Sequence, residues 1–502
     1  MGAALLRNGL VDVGGGEFRR TDVRVEDGRI AAVGDGIEPG EAEVVDCVRF
    51  AVVPGIVNAH NHSNENFMRG RWDNLPLEPW MLFSYPVLFA PEYSPREIYV
   101  RTLLGGIEMI RTGATSVVDF LYELAGFTEE TLGAVVQAYR ELGLRALVAL
   151  GMSDRAFHET VVLDLGLVPA DLVDQLGREK PPPWSEWEAF ARRAVERFHR
   201  PDEGISIGLA PSGPQRCTDE MLAGCARLAD ELDLAVHIHV LETRMQALSG
   251  HRMYGKTLVE HLDEIGFLGP RANFEHCIWL TEHDLELVAG SGTSVVHNPI
   301  ANLKVGSGIS PVPLLLDAGV NVALGADSTS ANDDGDLYSV LKIAGLHHKL
   351  WDIDYERWLG AREAWAMATV GGAQAMGDRD GLGRLEPGRR ADLVLLDLES
   401  RIFTPLNNPL HQIVFSATTH AVHSTMVGGR WVLSEGRVTG IDEAAVLAEA
   451  REIGPQVMAR YAEGERVGEA LQPAVRRGWL EALRADVGVN RSMPLEGIGL
   501  TR

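Results

Sequence analysis

The sequence predicts an α/β protein: a (β/α)8 barrel in the middle, with one small discontinuous β-sandwich built from both chain ends. Three observations predict it. Between about residues 58 and 380, short apolar runs alternate with helix-patterned segments. From Ala3 to Val57 the chain instead strings short alternating runs between Gly and Asp turns. The same style returns from Leu382 to Gly440, so the two ends are expected to meet.

Taken in order, Glu26-Asp27-Gly28 separates two alternating runs and reads as a hairpin. A first barrel strand leads into His60. The next seven begin near Thr115, Arg145, Ile205, Leu234, Ala272, Thr293 and Asn321, each followed after a loop by a helical pattern such as TDEMLAGCARLADEL. Between Gly151 and Trp187 the third connection is too long for a plain link and belongs on the catalytic side, where long loops form lids or pocket walls. Gly428-Gly429 and Glu435-Gly436 mark later turns, and 443–462 reads as an amphipathic helix. The tail from Gly464 onward shows little periodicity. The expected domains are 1–57 and 381–440 for the sandwich, 58–380 for the barrel, and 441–502 for a C-terminal helix and tail.

Composition narrows the function. With 46 Lys and Arg against 71 Asp and Glu, the formal charge of -25 repels phosphate backbones and anionic lipid, which argues against nucleic acid and membrane as partners. Cys47, Cys217, Cys225 and Cys277 form no CxxC pair, and no run approaches the roughly 20 apolar residues of a membrane span, so a cytoplasmic protein is expected.

In a barrel of this kind reacting groups sit at the C-terminal ends of strands, which turns scattered polar residues into one candidate site. His60 and His62 leave the same face of the first strand. A lone His-x-His is weak, and its value depends on ligands found downstream. The fifth strand ends in HIHVLET, offering His237, His239 and, just beyond, Glu242. His276 follows on the sixth, His297-Asn298-Pro299 on the seventh, and Asp327 on the eighth. A carboxylate at the mouth of a buried strand implies a cation or a hydrogen-bond cluster beside it.

The runs PGIVNAHNH, RGxxDNLPLEPWM (from Arg69), HxHVxET, HNPxxNxKxxSGISPV (from His297), GADSTSAND and GRRADLVLLD, in that order, resemble the amidohydrolase superfamily. The branch they are most similar to holds cytosine-deaminase-like enzymes, chlorohydrolases and S-adenosylhomocysteine deaminases. The resemblance implies His60, His62, His239 and Asp327 as metal ligands, Glu242 as acid/base, His276 as the partner of a developing oxyanion, and His237 behind the ligands. The fourth strand carries no lysine near its end, so one divalent ion is expected, zinc first, with iron or manganese as alternatives. Such an ion lowers the pKa of water from ~15.7 toward ~7, and Asp327 would take the proton. Glu242 would protonate a ring nitrogen of the substrate.

The expected activity is hydrolytic deamination of a small aminated nitrogen heterocycle of purine, pyrimidine, pterin or triazine type, with water as co-substrate. Hydrolysis of another C–N or C–Cl bond by the same machinery is the alternative, and a non-catalytic ligand-binding barrel is a distant third. Trp80, Arg155, His158, His297 and Asn302 are the expected substrate contacts. A dimer or tetramer is implied by the resemblance alone. Ala301 and the Ala326-Ser328 surround of Asp327 depart from the usual family residues, which withholds any single substrate.

Overall fold

The computed structural model describes residues 2–350, 354–378 and 381–492. Eight parallel strands form the barrel: β6 (Ile56–Asn61), β7 (Ala114–Leu121), β8 (Arg145–Met152), β9 (Ile205–Pro211), β10 (Val236–Val240), β11 (Ala272–His276), β12 (Ser294–His297) and β13 (Val322–Leu324). They pair in sequence order from β6 to β13. Closure comes from single bonds rather than a ladder: Asp327 N donates to His60 O at 2.9 Å and Ala326 N to Asn58 Oδ1 at 2.9 Å. Their residues are almost wholly buried, as expected of strands covered on both faces.

The β unit expected from both chain ends is one mixed nine-stranded sheet. Its N-terminal strands are β1 (Ala4–Asp12), β2 (Phe18–Glu26), β3 (Arg29–Gly34), β4 (Glu43–Asp46) and β5 (Phe50–Pro54). The C-terminal ones are β14 (Leu393–Asp397), β15 (Val422–Val427), β16 (Arg430–Ser434) and β17 (Arg437–Val438). The two sets join where β5 pairs antiparallel with β14, Pro54 opposite Leu393 and Phe50 opposite Asp397. At the expected hairpins both central residues take positive φ, 49° and 76° at Asp27-Gly28 and 50° and 73° at Glu435-Gly436, which matches the right-handed twist of the flanking strands. A buried pair, Arg145 to Asp392 at 3.2 Å, ties the start of β8 to this sheet.

Two elements differ from the sequence expectation. The apolar run after Ala272 is strand only as far as His276; His276 and Cys277 both take positive φ, 67° and 47°, and turn the chain out of the sheet. The tail, patternless by hydrophobicity, contains a 23-residue helix, Ala462–Arg484. Its buried face is Gly464, Val467, Gly468, Leu471, Ala474, Val475, Gly478 and Ala482, spaced as a helix demands but rich in small residues that carry little hydrophobic signal. Small residues are required there, since a Cβ on Gly468 would stand 2.8 Å from Leu82 O. The helix packs Leu471 and Val475 against Leu82 and Phe83, and against Leu172 and Leu176 of the long third connection. Residues 493–502 of the tail lie outside those described. Among the described residues no helix is long and apolar enough to cross a membrane, and all four cysteines are buried and unpaired.

Candidate metal centre and pocket

Four strand ends bring the polar residues together. β6 delivers His60 and, one turn of pleat later, His62; β10 delivers His237 and His239; β11 ends in His276; Asp327 stands three residues beyond β13. Asp327 has φ of 63° and His276 of 67°, conformations that cost roughly 1–3 kcal/mol each in a non-glycine residue. Neighbouring strands hold them there: Asp327 N donates to His60 O, and Cys277 N to Val240 O at 3.1 Å.

The imidazoles are oriented from behind. His62 donates from Nδ1 to Phe120 O at 2.7 Å and His239 from Nδ1 to Ser212 O at 2.9 Å, so both turn an Nε2 lone pair inward. His62 Nε2 lies 3.5 Å and His60 Nε2 3.7 Å from Asp327 Oδ1. His60 is fully buried and neither of its ring nitrogens has a hydrogen-bond partner. Two overlapping sets, His60 with His62 and Asp327, and His60 with His239 and His276, each hold their ligand atoms within 4.8 Å of one another.

Electrostatics agree with the geometry. Burial, then the neighbouring imidazoles, holds His60 well below the usual histidine range; the same two causes take His62 down to about 4. Burial likewise lowers His239. All three are therefore neutral near pH 7, the form that ligates a metal. Burial pushes Asp327 up to about 7, a cost that an adjacent dication removes. Neutral imidazoles, one carboxylate and an orphaned buried nitrogen fit a divalent transition ion held by His60, His62, His239 and Asp327.

Behind this cluster stands Glu275, fully buried, accepting from His237 Nδ1 at 2.8 Å and facing His60 Nδ1 at 3.3 Å. Sequence reasoning missed it, although the rule that singled out Asp327, an acid inside an apolar strand, applies equally to NFEHC. His237 accordingly sits behind the cluster. His276 pairs through Nδ1 with Asn302 Oδ1 at 2.7 Å and places Nε2 3.8 Å from Glu242 Oε2 and 3.9 Å from Asp327 Oδ2. Glu242 is buried; desolvation first, and the nearby Glu78 next, push its carboxyl up to about 8.

Above the cluster opens a cavity of about 270 Å³. His62, His239, Glu242, His276 and Asp327 line its inner end, and Trp80, Tyr85, Tyr122 and Phe157 its walls. Trp80 and Arg155 line it, the latter with its Nε donating to Cys217 O at 3.1 Å. Three expected contacts are placed elsewhere. His158 faces Glu179 Oε2 at 3.7 Å. Asn302 is buried behind His276 and absent from the cavity wall. His297 is buried off the cavity, its ring 5.2 Å from that of His347 and 5.3 Å from that of His348. Besides Glu275, the cavity neighbours Glu78, Tyr85, Tyr122, Ser212 and Arg216 carried no sequence signal of their own.

Fold and site together define a barrel hydrolase built to hold a divalent cation beneath an aromatic-walled pocket. Residues 51–432 match the amidohydrolase family, and the chain belongs to that family. Among its relatives is the 5'-deoxyadenosine deaminase of Methanothermobacter thermautotrophicus, 36% identical over 448 residues that span 88% of this chain and 96% of that protein. The 5-methylthioadenosine/S-adenosylhomocysteine deaminase of Syntrophomonas wolfei is 33% identical over 87% of this chain and 94% of its own length. Of solved structures, an adenosine deaminase from Xanthomonas campestris with bound zinc superposes with a TM-score of 0.79 at 30% identity, covering 91% of this chain and 98% of that one. An atrazine chlorohydrolase from Arthrobacter aurescens, TM-score 0.81 at 23% identity over 91% of this chain and 100% of that one, shares the fold. The metal-dependent aminohydrolase expected from the sequence is the activity class these relatives support.

Proposed function

We propose that the protein hydrolytically deaminates the adenine ring of a 5'-modified adenosine, exchanging the exocyclic amino group for oxygen and releasing ammonia. One observation carries this: a buried carboxyl, Glu242, which desolvation pushes up to about 8, stands 3.8 Å from His276 Nε2 at the inner end of the pocket. The names of the relatives, deaminases of 5'-deoxyadenosine and of 5-methylthioadenosine and S-adenosylhomocysteine, support the choice of ring.

His60, His62, His239 and Asp327 would hold one zinc ion, which supplies the Lewis acidity that brings the ionisation of water near neutral pH. Asp327 accepts the proton of the attacking water. Glu242 protonates the ring nitrogen beside the amino-bearing carbon and so makes that carbon electrophilic; a proton then passes to the amino group, which leaves as ammonia. His276 donates from Nε2 to the oxygen that gains charge. That donation requires Asn302 to present its amide NH2 to Nδ1, a half-turn of the amide that keeps one hydrogen bond in place. Trp80, Tyr85 and Tyr122 offer the ring flat apolar surfaces.

Glu275→Gln is expected to weaken metal affinity about 10- to 100-fold, because the carboxyl that accepts from His237 Nδ1 and faces His60 Nδ1 from behind exchanges one acceptor oxygen for an amide NH2. Titration of the apo-protein with zinc checks it, and an unchanged affinity would remove Glu275 from the account. The function itself is tested by ammonia release across aminated purines and their nucleosides, pyrimidines, pterins and triazines. Fastest release is expected from 5'-deoxyadenosine or 5-methylthioadenosine, and release only from a pyrimidine or triazine would contradict the proposal.

A further inference from the structure

Two arginines line the pocket, and Arg155 donates to a backbone carbonyl, Cys217 O, at 3.1 Å and to Tyr254 Oη at 3.5 Å. Arg216 donates to side chains alone. It lines the cavity beside the inner cluster, and its guanidinium donates from Nη1 to Ser212 Oγ at 3.3 Å and from Nη2 to Met81 Sδ at 2.8 Å. The first is long, to a hydroxyl that already accepts from Tyr122 Oη at 2.8 Å. The second acceptor is a thioether, among the weakest in proteins. Among the described residues no carboxylate comes within ion-pair distance of Arg216. A guanidinium has five donors in a planar fork, so most of its bonding capacity is left to face the cavity.

Its backbone is fixed by the loop. Arg216 closes the short turn Pro214–Arg216 after β9, and its carbonyl accepts from Arg155 N at 3.2 Å. Ser212, four residues earlier, holds the guanidinium with its hydroxyl and His239 with its carbonyl. One loop therefore sets both a member of the metal cluster and a charged donor. Arg216 is also close enough to lower the carboxyls of Glu242 and Glu78 electrostatically, which puts it near the atom that Glu242 protonates.

We propose that Arg216 is a specificity-determining residue that donates to a second acceptor on the aminated ring, an unprotonated ring nitrogen, while Glu242 engages the first. This rests on the deaminase function proposed above and adds to it which rings are taken. A ring presenting C–H at that edge leaves a desolvated guanidinium unpaired and is selected against.

The test compares the panel substrate deaminated fastest with analogues in which single ring nitrogens are replaced by C–H; for an adenine nucleoside these are the 3-deaza and 7-deaza compounds. Wild-type enzyme is expected to lose about ten- to a hundredfold in kcat/KM on one analogue. Arg216→Met, with its metal content intact, is expected to lose on the parent and to treat parent and analogue alike. Arg216→Lys, which keeps the charge without the fork, falls between. A wild type indifferent to every replacement, or Arg216→Met with the preference preserved, overturns the assignment while leaving the deaminase function standing. Turnover of no aminated ring overturns both.

Discussion

Glu242→Gln is expected to lower deamination about 10²- to 10⁴-fold while leaving metal content and melting temperature near those of the wild type. The amide fills the same space in the pocket but cannot deliver a proton to the ring or receive one back. Its surroundings favour the neutral acid on balance: burial and Glu78 raise the carboxyl and outweigh Arg216 and Gln246, which lower it, while Glu242 N donates to Gln246 Oε1 at 2.9 Å. Structure should therefore survive the change and chemistry should not. Steady-state kinetics with metal analysis on the same preparation decides it, and full activity in the variant would remove Glu242 from the mechanism.

Gly325→Ala is expected to cost about 1–3 kcal/mol of stability and to strip the protein of most of its metal. Gly325 lies just past β13 where the barrel closes, and a Cβ there would stand 2.6 Å from His60 Cβ and 2.9 Å from His60 N, besides striking Asn298 Oδ1. These are backbone and short side-chain atoms with no room to yield. Relief can come only by parting β13 from β6, the two strands that deliver Asp327 and His60. Thermal unfolding and metal content measured together are the check. A Gly325→Ala protein with full metal and a wild-type melting temperature would show that the closure tolerates a side chain.

Much of the fold was legible because it is repetitive. Eight apolar strand runs, and turns as explicit as Asp27-Gly28 and Glu435-Gly436, carry period and punctuation in the residues themselves. The Ala462–Arg484 helix was illegible because five of the eight residues on its buried face are glycine or alanine, which allow close approach but carry little hydrophobic signal. The metal cluster was legible since its members lie at strand ends and have unusual chemistry for such places. Glu275 could have been found by the same rule. Tyr122 and Arg216 could not, because what matters is which cavity a loop side chain enters, and that is fixed only when the barrel brings the loops after β7 and β9 together on either side of β8. His158, His297 and Asn302 show the converse, polar residues near strand ends that the barrel turns away from the pocket.

The central claim is that His60 and Asp327, far apart in sequence, grip one ion that makes water reactive. Its most direct test is elemental analysis of purified, active protein, followed by chelation and re-addition of metal. The account predicts one transition-metal ion per chain, zinc first, with activity lost on its removal and restored on its return. Active protein with no stoichiometric transition metal would contradict it.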